Sequence, residues 1–172
     1  MDRVIPERIA WAVGVLDVQP NDKILEIGCG RGFAIGPISE KLRTGHLTAI
    51  DLSEAMIDAA RQTNAGHIAA GKASIIHADL LNADLPAAHF NKIFLFNLNV
   101  FWMDPKEELR VIRRLLNDQG KFFIFHQPPP GHDPKEFAAE FEKNLTANEF
   151  AIERVLFKEL DPVGATVIIS RK

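Results

Sequence analysis

Five compact apolar runs punctuate the chain: KILEI at 23–27, HLTAI at 46–50, ASIIH at 73–77, KIFLF at 92–96 and KFFIF at 121–125. They are nearly continuous in Ile, Leu and Phe rather than alternating with polar residues, which is the pattern of strands buried on both faces of a parallel sheet. Between them the period lengthens. Residues 33–42, 54–65 and 106–116 carry apolar positions three and four apart, as in Ala55, Ile57, Ala59 and Ala60, and this predicts helices. Ahead of the first run, 6–18 predicts another helix with Ile5, Ile9, Ala12, Val13 and Leu16 on one face. Past the fifth run, three prolines and a glycine within 127–133 predict a stiff loop, followed by a further helix. The extended segments 150–160 and 163–170 flank Asp161-Pro162, a turn short enough for an antiparallel pair at a sheet edge. The expected fold is α/β: a doubly wound, mostly parallel seven-stranded sheet with helices on both faces and an antiparallel C-terminal strand pair, in one domain over 1–172.

Two helix starts carry the same tetrapeptide, Asp104-Pro105-Lys106-Glu107 and Asp133-Pro134-Lys135-Glu136. Each is expected to place Asp at the N-cap, Pro at the first helical position and Glu where a capping box wants it.

Composition narrows the function classes. With 20 Lys and Arg against 23 Asp and Glu, the net charge of −3 lacks the basic excess that drives nucleic-acid binding. The single cysteine, Cys29, cannot form an internal disulfide, and the six histidines make no Cys/His pair at zinc spacing, so no metal site is expected. A reducing compartment fits. No apolar run approaches the roughly 20 residues that span a bilayer, and the start, MDRVIPERIA, lacks the apolar core of a signal peptide. The expectation is a cytoplasmic protein without membrane association.

The segment ILEIGCGRGF at 24–33 runs a buried strand straight into glycines at 28, 30 and 32 and then into a helix. Such glycines permit a tight turn and close approach of backbone to a ligand. Dinucleotide folds use a similar loop, but here the position of their third glycine is Phe33. Glu26, two residues before the first glycine, would repel a pyrophosphate and attract a cation. Asp51, Asp79 and Asn97 follow the second, third and fourth runs, at the strand ends where an open parallel sheet binds its ligand. Three acids and an amide favour a nucleoside bearing positive charge over a phosphate, with Arg31 as counter-indication. Plainer roles also suit these residues. Asp51 and Ser53 can cap the next helix, Glu26 can be structural, Asp79 and Asn97 can be turn residues, and Cys29 can be a small filler of the turn.

On these residues the sequence resembles the class I S-adenosylmethionine-dependent methyltransferases of the small-molecule type. ILEIGCGRGF resembles their first motif, AIDLSEAMIDAARQ at 49–62 the segment with the ribose-binding acid, and HADLL at 77–81 the one that frames adenine. The resemblance implies S-adenosyl-L-methionine as cofactor, with S-adenosyl-L-homocysteine as product. It puts Gly28, Cys29 and Gly30 at the methionine end, with Glu26 shaping the turn near the amino group. Asp51 would take the ribose hydroxyls, Leu52 and Met56 would pack near adenine, Asp79 and Leu80 would hold its edge, and the Asn97 backbone would sit beside the sulfonium.

Methyl transfer from a sulfonium is an in-line displacement, so alignment is the protein's main contribution. An acceptor that must lose a proton needs a base, and His126, at the end of the fifth run, is the candidate. Trp11, Trp102 and His132 are candidate walls of the substrate pocket, in a chain with no tyrosine. After the fourth run the chain reads FNLNVFW, not the Asn/Asp-Pro-Pro-aromatic signature of enzymes methylating exocyclic amines. Cys29, in the turn, is not placed to be the nucleophile that cytosine-C5 methylation requires. A small, partly apolar acceptor is therefore expected, on a monomer or homodimer, with O, N, S and C acceptor atoms all open. Two other readings stand beside it: a nicotinamide-dependent oxidoreductase on a related dinucleotide fold, and a non-catalytic methyltransferase-like binding module.

Overall fold

The computed structural model describes residues 5–172; the first four residues of the start MDRVIPERIA lie outside them. The chain divides into two compact units, the first ending at Asp79 and the second running from Leu80 to Lys172. Among the described residues no helix is long and apolar enough to cross a membrane.

The first unit contains α1 (Glu7–Leu16), β1 (Lys23–Ile27), α2 (Ile35–Lys41), β2 (His46–Asp51), α3 (Glu54–Thr63), α4 (Ala65–Ala69) and β3 (Ala73–His77). Its strands are parallel in the order β3-β2-β1. Register sets Ile27 beside Ile50 and Asp51 beside His77, so the carboxyl ends of all three strands finish together. β1 is buried from Ile24 to Ile27, as its unbroken apolar run requires. α1 buries Ala12, Val13 and Leu16, but Ile5 precedes the helix and is exposed. The helix expected over 54–65 instead ends at Thr63 and gives way to α4, with Asn64 between them. The buried Asn64 side chain donates to the Ala60 carbonyl at 2.9 Å and to the Gly32 carbonyl at 3.1 Å. A side chain that bonds the backbone one turn back competes with helix continuation.

The second unit contains β4 (Phe90–Phe96), a 3₁₀ turn (Asn99–Trp102), α5 (Lys106–Leu115), β5 (Leu116–His126), α6 (Pro134–Ala147), β6 (Ala151–Lys158) and β7 (Ala165–Arg171). Its strand order is β4-β5-β7-β6, completing the expected complement of seven. β4 and β5 are parallel, and β7 runs against both β5 and β6, so the C-terminal pair is antiparallel as expected. β5 begins five residues earlier than its apolar run, at Leu116, because 117–120 forms an irregularity opposite Phe90–Lys92. Gly120 belongs there for steric reasons, since a Cβ on it would meet the Phe90 carbonyl oxygen at 2.8 Å. The two Asp-Pro-Lys-Glu starts diverge. Asp133 caps α6, accepting from the Lys135 N–H at 2.9 Å with Pro134 at the first helical position. At α5 the N-cap is Pro105 itself, without a side-chain cap, and Asp104 stands outside the helix. That helix has acids in its first turn and arginines in its last, which complement its dipole.

Candidate functional site

β1 leaves the sheet at Ile27 and turns through Gly28, Gly30 and Gly32, whose φ values of 72°, 52° and 71° all lie in the left-handed region. Non-glycine residues rarely adopt it. The turn is fixed to the next strand: the N–H groups of Gly28 and Cys29 both donate to the Ile50 carbonyl, at 2.9 and 3.0 Å. The Gly30 N–H donates to Asp51 Oδ2 at 2.7 Å. The other Asp51 oxygen accepts from the Ser53 N–H at 2.9 Å, and Ser53 Oγ caps α3 by accepting from Met56. Ser53 is thus the helix cap, and Asp51 bridges the glycine turn to the start of α3. Each Asp51 oxygen retains a further lone-pair site.

Gly30 and Gly32 differ in surroundings. A Cβ on Gly30 would meet nothing within 4 Å, so open space lies over the turn. One on Gly32 would come within 2.7 Å of Asn64 Nδ2 and 3.0 Å of Ala60 Cβ. The helix side of the turn is therefore packed shut by Asn64, while Gly30 faces room for a ligand.

Glu26 is the electrostatic oddity of this unit. It is 6% exposed, and its Oε2 has no hydrogen-bond partner. Burial, and secondarily the charge of Asp51, push its pKa up to about 8. Cys29 is buried beside Gly30 as well. Burial first, then Glu26 and Asp51, hold its thiol far above the usual range, so it is an inert occupant of the turn. At the strand ends nearby, Leu52 is 70% exposed and Met56 37% exposed, two apolar side chains left facing water just past Asp51. Asp79 is half-buried after β3, and His77 Nε2 lies 2.9 Å from the Leu52 carbonyl oxygen. Trp11 is half-buried on α1.

In the second unit Leu80 is buried. Asn97, just past β4, has φ +55° and clamps the backbone of Gln127: its Oδ1 accepts from the Gln127 N–H at 2.8 Å and its Nδ2 donates to the Gln127 carbonyl at 3.3 Å. That clamp ties together the ends of β4 and β5. His126 closes β5 with both ring nitrogens unpartnered, and burial pushes its pKa down to about 4. Its ring lies 4.5 Å from that of Phe137 and 5.4 Å from that of Phe141, both on α6. Trp102 meets Phe137 edge-on at 5.7 Å, with its Nε1 buried and unpartnered, and His132 approaches the same ring at 6.1 Å. Among the described residues no group of three or more His, Cys, Asp or Glu is placed to hold a metal ion.

A family model described as a methyltransferase domain matches residues 24–120, more than half of the chain, from the second residue of β1 through Gly120. The chain belongs to the class I S-adenosylmethionine-dependent methyltransferases. It is 28% identical over 167 residues to the uncharacterized methyltransferase YdaC of Bacillus subtilis, covering 94% of this chain and 90% of that protein. To the putative methyltransferase YrhH of the same organism it is 30% identical over 122 residues, covering 71% of this chain and 67% of that one. A crystal structure of a SAM dependent methyltransferase from Aquifex aeolicus superposes with a TM-score of 0.77 at 17% identity, over 94% of this chain and 88% of the other. That likeness shows the Rossmann-like methyltransferase fold expected from the alternating strands and helices.

Two features of this methyltransferase escape a reading of the sequence. Asn64 looks like one polar residue in a helix, yet it anchors the glycine turn from a distance of 32 positions. Phe137 reads as one apolar position of α6, yet Trp102, His126 and His132 all meet it. The only sequence signal for Asn64 is its place between two short helical patterns. For Phe137 there is none.

Proposed function

We propose that this methyltransferase binds S-adenosylmethionine at the glycine turn of its first unit and transfers the methyl group in line to a small-molecule acceptor. When bound, the cofactor supplies an electrophilic methyl carbon on a sulfonium. The carrying observation is the combination at one turn of open space over Gly30 with the buried, half-unpaired carboxyl of Glu26. A buried carboxyl oxygen without a partner calls for a hydrogen-bond donor, and the ammonium of a methionine end is one whose charge would also favour the ionised form of Glu26. Asp51, held by Gly30 and Ser53, keeps lone pairs for ribose hydroxyls, and exposed Leu52 and Met56 offer apolar cover to a base. Asp79, Leu80 and Asn97 are carried over from the family resemblance. His126, the candidate base, has unpartnered ring nitrogens, but burial holds its pKa at about 4 and makes it a weak proton acceptor unless a bound ligand raises that value. The acceptor side is aromatic and apolar, which suits a small molecule better than a polyanion.

Thermal unfolding with S-adenosylmethionine, S-adenosylhomocysteine, NAD and NADP in turn tests the reading. A bound ligand at about 100 times its dissociation constant adds about 2.7 kcal/mol, which raises the midpoint of a protein this size by roughly 5 to 11 °C. The two sulfur nucleosides should give that shift and the nicotinamide nucleotides none. A shift with NAD or NADP alone, or with no ligand at all, refutes it.

A further inference from the structure

A cavity of about 370 Å³ opens between α5 and the end of α6, wholly within the second unit. Its walls are Lys106, Arg110 and Arg113 of α5 with Ala147, Asn148 and Glu149 at the end of α6. Steps of four and three residues put the three cations on one helix face, and the volume falls within the roughly 300 to 1,000 Å³ of small-molecule pockets. The cations are held to different degrees. Arg113 is fixed, since its Nη1 donates to the Glu149 carbonyl and its guanidinium lies 5.6 Å from the centroid of the Phe150 ring. Arg110 gives Nε and Nη2 to one Glu107 oxygen, at 3.1 and 2.6 Å, and keeps Nη1 for another acceptor. Among the described residues the Lys106 ammonium meets no acceptor. Two carboxylates compete for these cations, and both are loosely placed: Glu107 is 57% exposed, and Glu149, 83% exposed, stands 3.7 Å from Arg113, beyond hydrogen-bond reach. Such exposed pairs contribute little and yield to a better anion. The carbonyls of Asn144, Leu145 and Thr146, whose partial charge would repel an anion, already accept from the N–H groups of Asn148, Glu149 and Phe150.

We propose that this cavity binds an organic phosphate, its phosphate dianion on Lys106, Arg110 and Arg113 and its organic body beside Asn148. A planar guanidinium fork matches a pair of phosphate oxygens, and a phosphate monoester carries close to two negative charges near neutral pH. With the two loose carboxylates swung out, three cations meet those two charges. A carboxylate ligand would bring one charge and fewer acceptor oxygens, and a neutral polyol would bring no charge. Asn148 Nδ2 is taken by the Asn144 carbonyl at 2.8 Å, which leaves Oδ1 to accept from a hydroxyl on the body. The site shares no residue with the glycine turn or with the candidate cofactor residues, so it does not depend on how the cofactor is bound.

The test titrates the full chain, labelled with ¹⁵N, with glycerol 3-phosphate, glycerate and glycerol, three related polyols that differ in head group. The pH is about 8, where the phosphate is a dianion, and the ionic strength is held constant, because exposed charges are screened by salt. Glycerol 3-phosphate should shift the amide signals of residues 106–113 and 147–149 and saturate at millimolar concentration. Glycerate should bind at least about threefold more weakly, and glycerol should leave those signals in place. Lys106→Ala and Arg110→Ala, both at exposed positions, should each weaken glycerol 3-phosphate by about threefold or more. Glu149→Gly works in the other direction. It removes a competing carboxylate, keeps the carbonyl that holds Arg113 and suits the φ of +64° at that position, so it should tighten binding without lowering the unfolding midpoint. Absence of saturable binding, shifts centred on other residues, or glycerate bound as tightly as the phosphate overturns the proposal. So does undiminished binding by both alanine variants. The head-group ranking and the location of the shifts are read on the unmodified protein, so they stand whatever the variants do.

Discussion

Glu26 holds a proton at neutral pH that an unfolded chain would release. Burial and the neighbouring Asp51 raise its pKa from 4.5 to about 8. Below pH 4.5 the carboxyl is protonated in both states and costs nothing. Between 4.5 and 8 the folded chain binds a proton that the unfolded chain does not, so stability falls as pH rises through that window. His126 works in the opposite sense. Its pKa is lowered from 6.5 to about 4, so its contribution is lost as pH falls through that range. Glu26→Gln removes the first effect and leaves the second. The variant should melt above wild type at pH 8, by an amount that shrinks to nearly nothing at pH 4.5, in thermal unfolding followed across pH. An equal gap at both ends would mean that the carboxyl is not ionising against a burial cost. A buried residue that lowers stability close to a glycine turn with open space over Gly30 is what a binding site exacts from its fold.

At the scale of elements, the repeated Asp-Pro-Lys-Glu start separates what a local motif dictates from what packing decides. Both copies are followed by a helix, but only Asp133 makes the cap, while Asp104 lies outside α5. Asp133→Ala should therefore cost about 1 kcal/mol, and Asp104→Ala less than about 0.5 kcal/mol, in chemical denaturation of the two variants. Equal losses would contradict the capping difference. The strands were the most legible elements, because β1 and β3 are apolar runs whose ends coincide with turn residues. The start of β5 was not. Asn117 to Gly120 reads as a turn, and only the pairing with β4 draws it into the sheet. The break after Thr63 was equally hidden, since it depends on Asn64 reaching Gly32, a contact that no local pattern encodes.

Over the whole molecule, the candidate cofactor residues were legible because they sit where strands end, and strand ends follow from periodicity. Glycines 28, 30 and 32 announce a left-handed turn because few other residues can make one. The link between Gly30 and Asp51 and the clamp of Asn97 on Gln127 were not legible, since each joins segments distant in the chain. Nor was the burial of His126 beneath α6, which the strand pattern alone would leave on a rim. Family membership fixes the reaction class, while the identity of the acceptor has to come from residues such as these. The central claim, that Glu26 and the glycine turn hold the amino-acid end of S-adenosylmethionine, is tested most directly by calorimetric titration with two nucleosides. One is S-adenosylhomocysteine and the other is 5′-methylthioadenosine, which lacks that end. Wild-type protein should prefer S-adenosylhomocysteine by at least about tenfold, or about 1.4 kcal/mol, and Glu26→Gln should lose most of that preference. A Glu26→Gln protein that discriminates between the two as wild type does would contradict the account.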